Sequence, residues 1–351
     1  FEACVREGEA YSVMGAYNRT NGEPCCASST LLQKILRDTW GFEGYVVSDC
    51  GAIADIFEHH QVVESAPEAA ALAVKAGCEL NCGEVYPALR EAVAQGLINE
   101  ATIDQAVTRL FTARLRLGMF DPPERVPYAQ IPFEVNDSPA HRALALEAAR
   151  KSIVLLKNAD DTLPLRDDVK SIAVIGPNAD DAMVLLGNYH GTPSKVVTPL
   201  QAISANVPLQ TQVRYHRGCG VTGDDTEGFA EAVALARQAD VTIAVMGLSQ
   251  QIEGEEGQQE GVDEGFSAAD RPDLALPGVQ SALLQALHET GTPLVVVLLN
   301  GSAVAINWAA AHADAIIEAW YPGEEGGTAI AEVLFGAYNP AGRLPVTFYT
   351  S

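Results

Sequence analysis

"GYVVSDCGAI", residues 44–53, drives a carboxylate into the end of an apolar run. Tyr45, Val46 and Val47 read as a short buried strand, and Ser48, Asp49, Cys50 and Gly51 follow at once. Asp and Gly are common turn formers, and an Asp after a strand can cap the helix that follows. A carboxylate at the carboxyl end of a core strand is also where α/β folds place ligand chemistry. Both readings of Asp49 are open at this point, and the surrounding sequence has to separate them.

Working outward, "YSVMGAYN" (11–18) reads as a strand running into a loop. "SSTLLQKILRDTW" (28–40) reads as a helix with Ser28 or Ser29 as its N-cap. "APEAAALAVKA" (66–76) is Ala-rich and helical, and "CELNC" (78–82) is a further short strand. Residues 85–97 and 100–117 carry two more helical patterns, the second stopped by Gly118. Strand and helix alternate, which implies parallel strands with helices packed outside. Three such units do not close a (β/α)8 barrel, which takes roughly 250 residues.

"DPPERVPYAQIPFEVND" (121–137) holds four prolines and little periodicity, as expected of an inter-domain strap. A second alternating series follows, with apolar strands at 171–176, 241–247, 293–300 and 315–320 and helices between them, as at 228–238 and 278–290. "LVVVLL" is apolar on both faces, the pattern of a parallel sheet covered on both sides. The division expected is 1–120, 121–137 and 138–351.

The 351 residues carry 22 Lys and Arg against 46 Asp and Glu, a formal net charge of -24. No basic stripe exists to meet phosphates, which argues against a nucleic-acid partner. No run of about 18 apolar residues spans a membrane. The chain starts at Phe1 without Met and reads as a fragment or processed product. Its seven cysteines (Cys4, Cys25, Cys26, Cys50, Cys78, Cys82, Cys219) are too sparse for a disulfide scaffold, and their spacing suggests no zinc site.

In the first region, polar groups gather at the expected strand ends: Tyr17 with Asn18, Asp49, and Asn81 with Glu79. In the second, "GLSQQIEGEEGQQEGVDEGFSAADRPDLALP" (247–277) is a long acidic loop after a strand. It reads either as a solvated charge run or as a functional loop. Its spacing is not that of an EF-hand. An Asp at a strand end and a Glu on a loop of the next domain match the two carboxylates of glycoside hydrolysis. A nucleotide-binding reading of "VIGPNAD" is weaker, because no G-x-G-x-x-G follows and Pro177 lacks an N–H for a phosphate.

The chain resembles glycoside hydrolase family 3, in its β-xylosidase-like branch. The residues that carry the resemblance run in order through nearly the whole chain. They are "VMGAYNRTNGEPCCASSTLLQKILRDTWGFEGYVVSDCGAI", "ELNCG", "RKSIVLLKNADDTLPL", "SIAVIGPNAD", "EGEE" with "DRPDLALPGVQ", "WYPGEEGG" and "NPAGRLPVTFY". The resemblance implies the C-terminal part of a (β/α)8 barrel followed by an (α/β)6 sandwich domain. It implies Asp49 as nucleophile and Glu255 as general acid/base, with Glu256 the alternative because the loop is extended before "DR". Tyr17 matches a tyrosine near the nucleophile, and Met14 a residue lining the glycone subsite. The acid/base must begin protonated, and Glu253, Glu256 and Asp49 are candidate sources of the repulsion that would keep it so.

Relatives of β-glucosidase type often carry Trp after the nucleophile, where this chain has Cys50. The "SDC" and "NCG" pairing resembles the xylosidase-like branch. Cys50 and Cys82 would end neighbouring strands about 4.8 Å apart, as a disulfide or as two buried thiols. The activity implied is retaining, exo-acting release of xylose from β-1,4-xylo-oligosaccharides, with β-glucosidase or α-L-arabinofuranosidase activity nearest to it. A non-catalytic carbohydrate-binding fragment is the competing class. No metal or organic cofactor is implied, the partner is an oligosaccharide, and a secreted or periplasmic location fits better than the cytoplasm. The family's Lys-His pair and its Arg and Asp sugar ligands belong to barrel strands expected before Phe1, so the 351 residues alone are expected to be inactive or nearly so.

Overall fold

A computed structural model describes residues 1–253, 271 and 273–350. The chain divides into two compact units, Phe1–Pro132 and Phe133–Ser351. The Pro-rich stretch therefore contains the division. It is wound into short 3₁₀ turns at Pro123–Arg125, Pro127–Gln130 and Phe133–Val135.

The first unit opens with helix α1 (Glu2–Arg6) and strand β1 (Ser12–Gly15). Strands β2 (Arg19–Thr20) and β3 (Glu23–Pro24) form a small antiparallel hairpin. Its turn residues Asn21 and Gly22 both have positive φ, the conformation an Asn-Gly hairpin turn requires. Thr30–Thr39 winds as a π-helix, and the hydroxyl of Ser28 accepts from Leu31 N at 3.1 Å, so Ser28 rather than Ser29 supplies the cap. Strand β4 (Tyr45–Ser48) lies parallel to β1, with Met14 opposite Val47 and Gly15 opposite Ser48.

Helices α2 (Asp55–Glu58), α3 (Ala66–Ala76), α4 (Leu89–Ala94) and α5 (Glu100–Arg116) follow. The strand expected at 78–82 shrinks to a single parallel bridge between Val47 and Leu80. Its polar residues are taken by side-chain bonds instead. Asn81 Oδ1 accepts from Val85 N and Tyr86 N and turns the chain into the next helix. The buried side of the unit joins Val46, Ile53, Ile56, Leu32, Leu36, Phe42 and the alanines of α3. The small alanine side chains let α3 lie close to its neighbours.

The second unit begins with α6 (Pro139–Ser152), capped by the Ser138 hydroxyl, and strand β5 (Val154–Asn158). Then come β6 (Ser171–Ile175), α7 (Pro199–Asn206), β7 (Gln212–His216), α8 (Phe229–Ala236) and β8 (Val241–Gly247). Helix α9 (Gln280–His288), β9 (Leu294–Leu299), α10 (Asn307–His312), β10 (Ala315–Glu318) and α11 (Gly326–Leu334) complete it. The six strands stand in the order β5-β10-β9-β8-β6-β7, all parallel except β5, which pairs antiparallel with β10.

Successive side chains of a strand point to opposite faces, and the sheet uses both. Ile243, Val245, Val295, Val297 and Ile317 pack with Ile203, Ile330 and Leu334 of α7 and α11. Ala244, Met246, Val296, Leu298 and Ile316 pack with Leu283, Leu284, Leu287 and Ala236 of α9 and α8. Each fully buried Ile, Leu or Val contributes about 1.5–3 kcal/mol. Gly247 ends β8 at φ 136°, where a Cβ would lie 2.0 Å from Leu299 O, so only glycine fits. Among the described residues, no helix is long and apolar enough to cross a membrane.

Candidate active site

Asp49 leaves the carboxyl end of β4 and is fixed from three sides. Its amide donates to Gly15 O at 2.9 Å, which ties it to the end of β1. Its Oδ1 accepts from the Cys50 amide at 2.7 Å. The Tyr17 hydroxyl donates to Cys50 O at 2.7 Å, so Tyr17 bridges from the β1 loop to the residue after the aspartate. Asp49 itself is half-buried, while Met14 and Tyr17 are 58% and 45% exposed on the same rim. Among the described residues, no Lys or Arg forms an ion pair with Asp49.

Cys50 and Cys82 are joined as a disulfide, with Cα atoms 4.4 Å apart. The Gly51 amide donates to Cys82 O at 2.8 Å, and Gly51 has φ 89°, which lets the chain double back beneath the bridge. The buried Ser48 hydroxyl accepts from Cys82 N at 3.0 Å and from Asn81 Nδ2 at 3.4 Å. The loop that carries Asp49 is thus stitched to the loop after Cys78 by one covalent and several polar links.

Glu79, grouped with Asn81 as a strand-end candidate, does not share this rim. Its side chain is buried and bound by Arg37 at 2.8 Å and Arg109 at 2.5 Å, and it accepts from Val46 N at 2.7 Å. Two guanidinium groups neutralise it, so its role is structural. His60 was not apparent as a candidate. Its Nε2 lies 2.7 Å from Tyr17 O, and Arg19 donates to His60 O at 3.3 Å, so it braces the loop bearing Tyr17. A pair of histidines after a short helix carries no sequence signal for that contact.

In the second unit, Glu255 and Glu256 lie outside the described residues, as do Glu260, Asp263, Glu264 and Asp270. Glu253 is described. Its carboxylate accepts from Gly301 N at 2.6 Å and from the hydroxyls of Ser302 and Tyr321. Burial, and next to it the Glu253 charge, push the Tyr321 phenol well above its usual range, so it stays an O–H donor. Behind this cluster, burial pushes the Glu318 carboxyl up to about 8. It accepts from Asn300 Nδ2 and Trp320 N, each at 3.0 Å. The "VIGPNAD" turn is occupied internally, because buried Asn178 donates to Leu248 O at 2.9 Å and joins the ends of β6 and β8. Among the described residues, no group of three His, Cys, Asp or Glu is arranged to hold a metal ion.

The chain is similar to known proteins along its whole length. Residues 1–113 match the glycosyl hydrolase family 3 N-terminal domain, and residues 153–351 the family's C-terminal domain. A probable β-D-xylosidase 7 of Arabidopsis thaliana is 43% identical over 99% of this chain and 44% of its own length. The chain therefore spans less than half the length of this curated relative. A solved family 3 exo-β-xylosidase, XlnD, in complex with a xylobiose aziridine probe, superposes with a TM-score of 0.87 at 37% identity, covering 97% of this chain and 42% of the other. A β-glucosidase from Erythrobacter marinus also gives 0.87, at 35% identity, covering 99% of this chain and 48% of its own. Both units follow that architecture, part of a (β/α)8 barrel and then an α/β sandwich. With one domain signature on each unit and more than half of the residues inside the second alone, the chain belongs to glycosyl hydrolase family 3.

Proposed function

We propose that the protein bearing this chain is a retaining, exo-acting glycosidase that releases xylose from the non-reducing end of β-1,4-xylo-oligosaccharides. The observation that carries this reading is Asp49. It stands at the carboxyl end of a parallel strand, held by backbone bonds, without a cationic partner among the described residues and beside exposed Met14 and Tyr17. The xylosidase names of its relatives support the sugar.

In the mechanism proposed, the Asp49 carboxylate attacks the anomeric carbon while Glu255, or Glu256 beside it, protonates the departing glycosidic oxygen. A covalent glycosyl ester forms on Asp49. The same glutamate, now a carboxylate, takes a proton from water, which displaces the sugar and restores Asp49. Such a pair works with its carboxyls about 5–5.5 Å apart. Met14 would line the subsite of the released sugar, and Tyr17 would hold the nucleophile's loop. The chemistry calls for neither metal nor organic cofactor. The Cys50–Cys82 bridge favours an oxidising compartment, hence secretion or a periplasm.

β-Glucosidase activity is the second reading, favoured by the equal superposition of the Erythrobacter enzyme. The test uses the polypeptide at the length its gene encodes, with paired nitrophenyl xyloside and glucoside. The expected result is a higher kcat/KM on the xyloside and its loss in Asp49→Ala. A preference for the glucoside would move the assignment to the second reading, and undiminished turnover in Asp49→Ala would overturn both.

A further inference from the structure

The aspartate that ends β4 rests on a buried sulfur. Cys26 lies in the 3₁₀ turn after the β2–β3 hairpin and is 1% exposed. Its thiol donates to Ala16 O at 3.6 Å and lies against Gly15, the last residue of β1. A Cβ on Gly15 would stand 2.8 Å from the Cys26 sulfur, so the missing side chain is what makes room for that atom. Gly15 O is also the acceptor of the Asp49 amide, at 2.9 Å. The same amide donates to the Cys26 sulfur, which therefore shares the Asp49 N–H with Gly15 O. One sulfur thus touches both residues that join the end of β1 to the end of β4.

A second thiol backs the first. Cys78, fully buried two residues after α3, donates its S–H to the Cys26 sulfur. Cys78 is placed by the backbone around it: its amide donates to Ala73 O at 3.0 Å, and its carbonyl accepts from the Tyr86 hydroxyl. Both cysteines are free thiols. The Cys50–Cys82 bridge ties the residue after Asp49 to the neighbouring loop, whereas the thiol pair supports the aspartate's own amide from the core. A thiol is a large, soft atom with one weak donor and weak acceptor capacity. It can meet several backbone groups at once without taking the Asp49 N–H away from Gly15 O.

We propose that Cys26, seated against Gly15 and the Asp49 amide and backed by Cys78, is a positioning residue for the Asp49 carboxylate. Buried beneath the rim, it acts by fixing the turn from which that carboxylate projects. The proposal rests on the reading of Asp49 as nucleophile. The carboxylate is steadied by the Cys50 amide of the same turn, so it moves as the turn moves. Misplacing a reacting group by 1 Å costs about a hundredfold in rate.

The test follows trapping of the glycosyl ester by a dinitrophenyl 2-fluoro xyloside in the polypeptide at the length its gene encodes. This leaving group needs no proton, so the inactivation rate at saturation, kinact, reports attack by Asp49, and KI reports binding. Cys26→Ala with wild-type circular dichroism is expected to lower kinact about tenfold or more and to leave KI unchanged. Cys26→Ser keeps a donor for Ala16 O and an acceptor for Asp49 N, so it should lose less. A sulfur that only fills space predicts lost stability with kinact intact in the folded variant. Unchanged kinact, a loss carried by KI, or a Ser variant no better than Ala would overturn the proposal. Should Cys26→Ala fail to fold, Gly15→Ala decides. Its methyl presses on the sulfur and should lower kinact at unchanged KI, and wild-type kinact there would overturn the proposal. Peptide mapping of the wild type separates the layers. A label on another carboxylate, or no label, removes the reading of Asp49 and this proposal with it. A label on Asp49 with kinact indifferent to Cys26 shows that the positioning role alone is wrong.

Discussion

Both units bury a glutamate, Glu79 in the first and Glu318 in the second, and they treat it in opposite ways. Glu79 in the first unit is 4% exposed and is met by two guanidinium groups, Arg37 from the π-helix and Arg109 from α5. Glu318 in the second is fully buried and is met by two neutral donors, Asn300 and the Trp320 amide. Its nearest charged influence is another carboxylate, Glu253. The first arrangement spends charge to hold elements together: one anion ties two helices and the Val46 amide of β4. The second keeps its carboxyl protonated over much of the neutral range and uses it as a neutral support.

The contrast breaks most visibly at Glu79. Replacing it by Ala leaves two guanidinium groups without their anion, one of them largely buried. Removing one partner of a buried pair costs about 3–5 kcal/mol. Urea unfolding of Glu79→Ala should show that loss in the first unit, and a change below about 1 kcal/mol would mean the pair behaves as a surface bridge.

The effect at Glu318 is smaller and depends on pH. The folded protein holds this proton where the unfolded chain has released it. Stability therefore falls as pH rises from the ordinary carboxylate range towards about 8, and the fall stops above that. Each pKa unit corresponds to about 1.4 kcal/mol, an upper limit for the slope per pH unit from one group. Glu318→Gln should flatten the decline in Tm between pH 5 and 8. An unchanged profile would show that Glu318 ionises as an exposed carboxyl does.

The same contrast explains what was legible in the sequence. Central strands are apolar on both faces, so the strand expected at 241–247 is β8 residue for residue, and the one expected at 293–300 is β9 with one residue fewer at each end. Helix α3 spans the Ala-rich segment 66–76. Edge strands β5 and β7 were missed, because one side of each faces solvent and their residues are largely polar or half-exposed. The antiparallel course of β5 has no local sequence mark either. The placement of Asp49 just after β4 was legible because a carboxylate ending an apolar run is local. The misreading of Glu79 was not correctable locally, since Arg37 and Arg109 lie 42 and 30 residues away. The donors to Glu253 lie 48 to 68 residues along the chain, at the ends of strands whose order only the sheet reveals.

Asp49 stands apart from both buried glutamates: half-buried, without a cationic partner among the described residues, and placed where a ligand can reach it. The direct test is covalent. A 2-fluoro xyloside with an activated leaving group, incubated with the polypeptide at the length its gene encodes, should inactivate it by trapping the glycosyl ester. Peptide mass spectrometry should then place the added fluoro-sugar on Asp49, in the peptide containing "YVVSDCGAI". A label on any other carboxylate, or inactivation with Asp49 unmodified, would contradict the account.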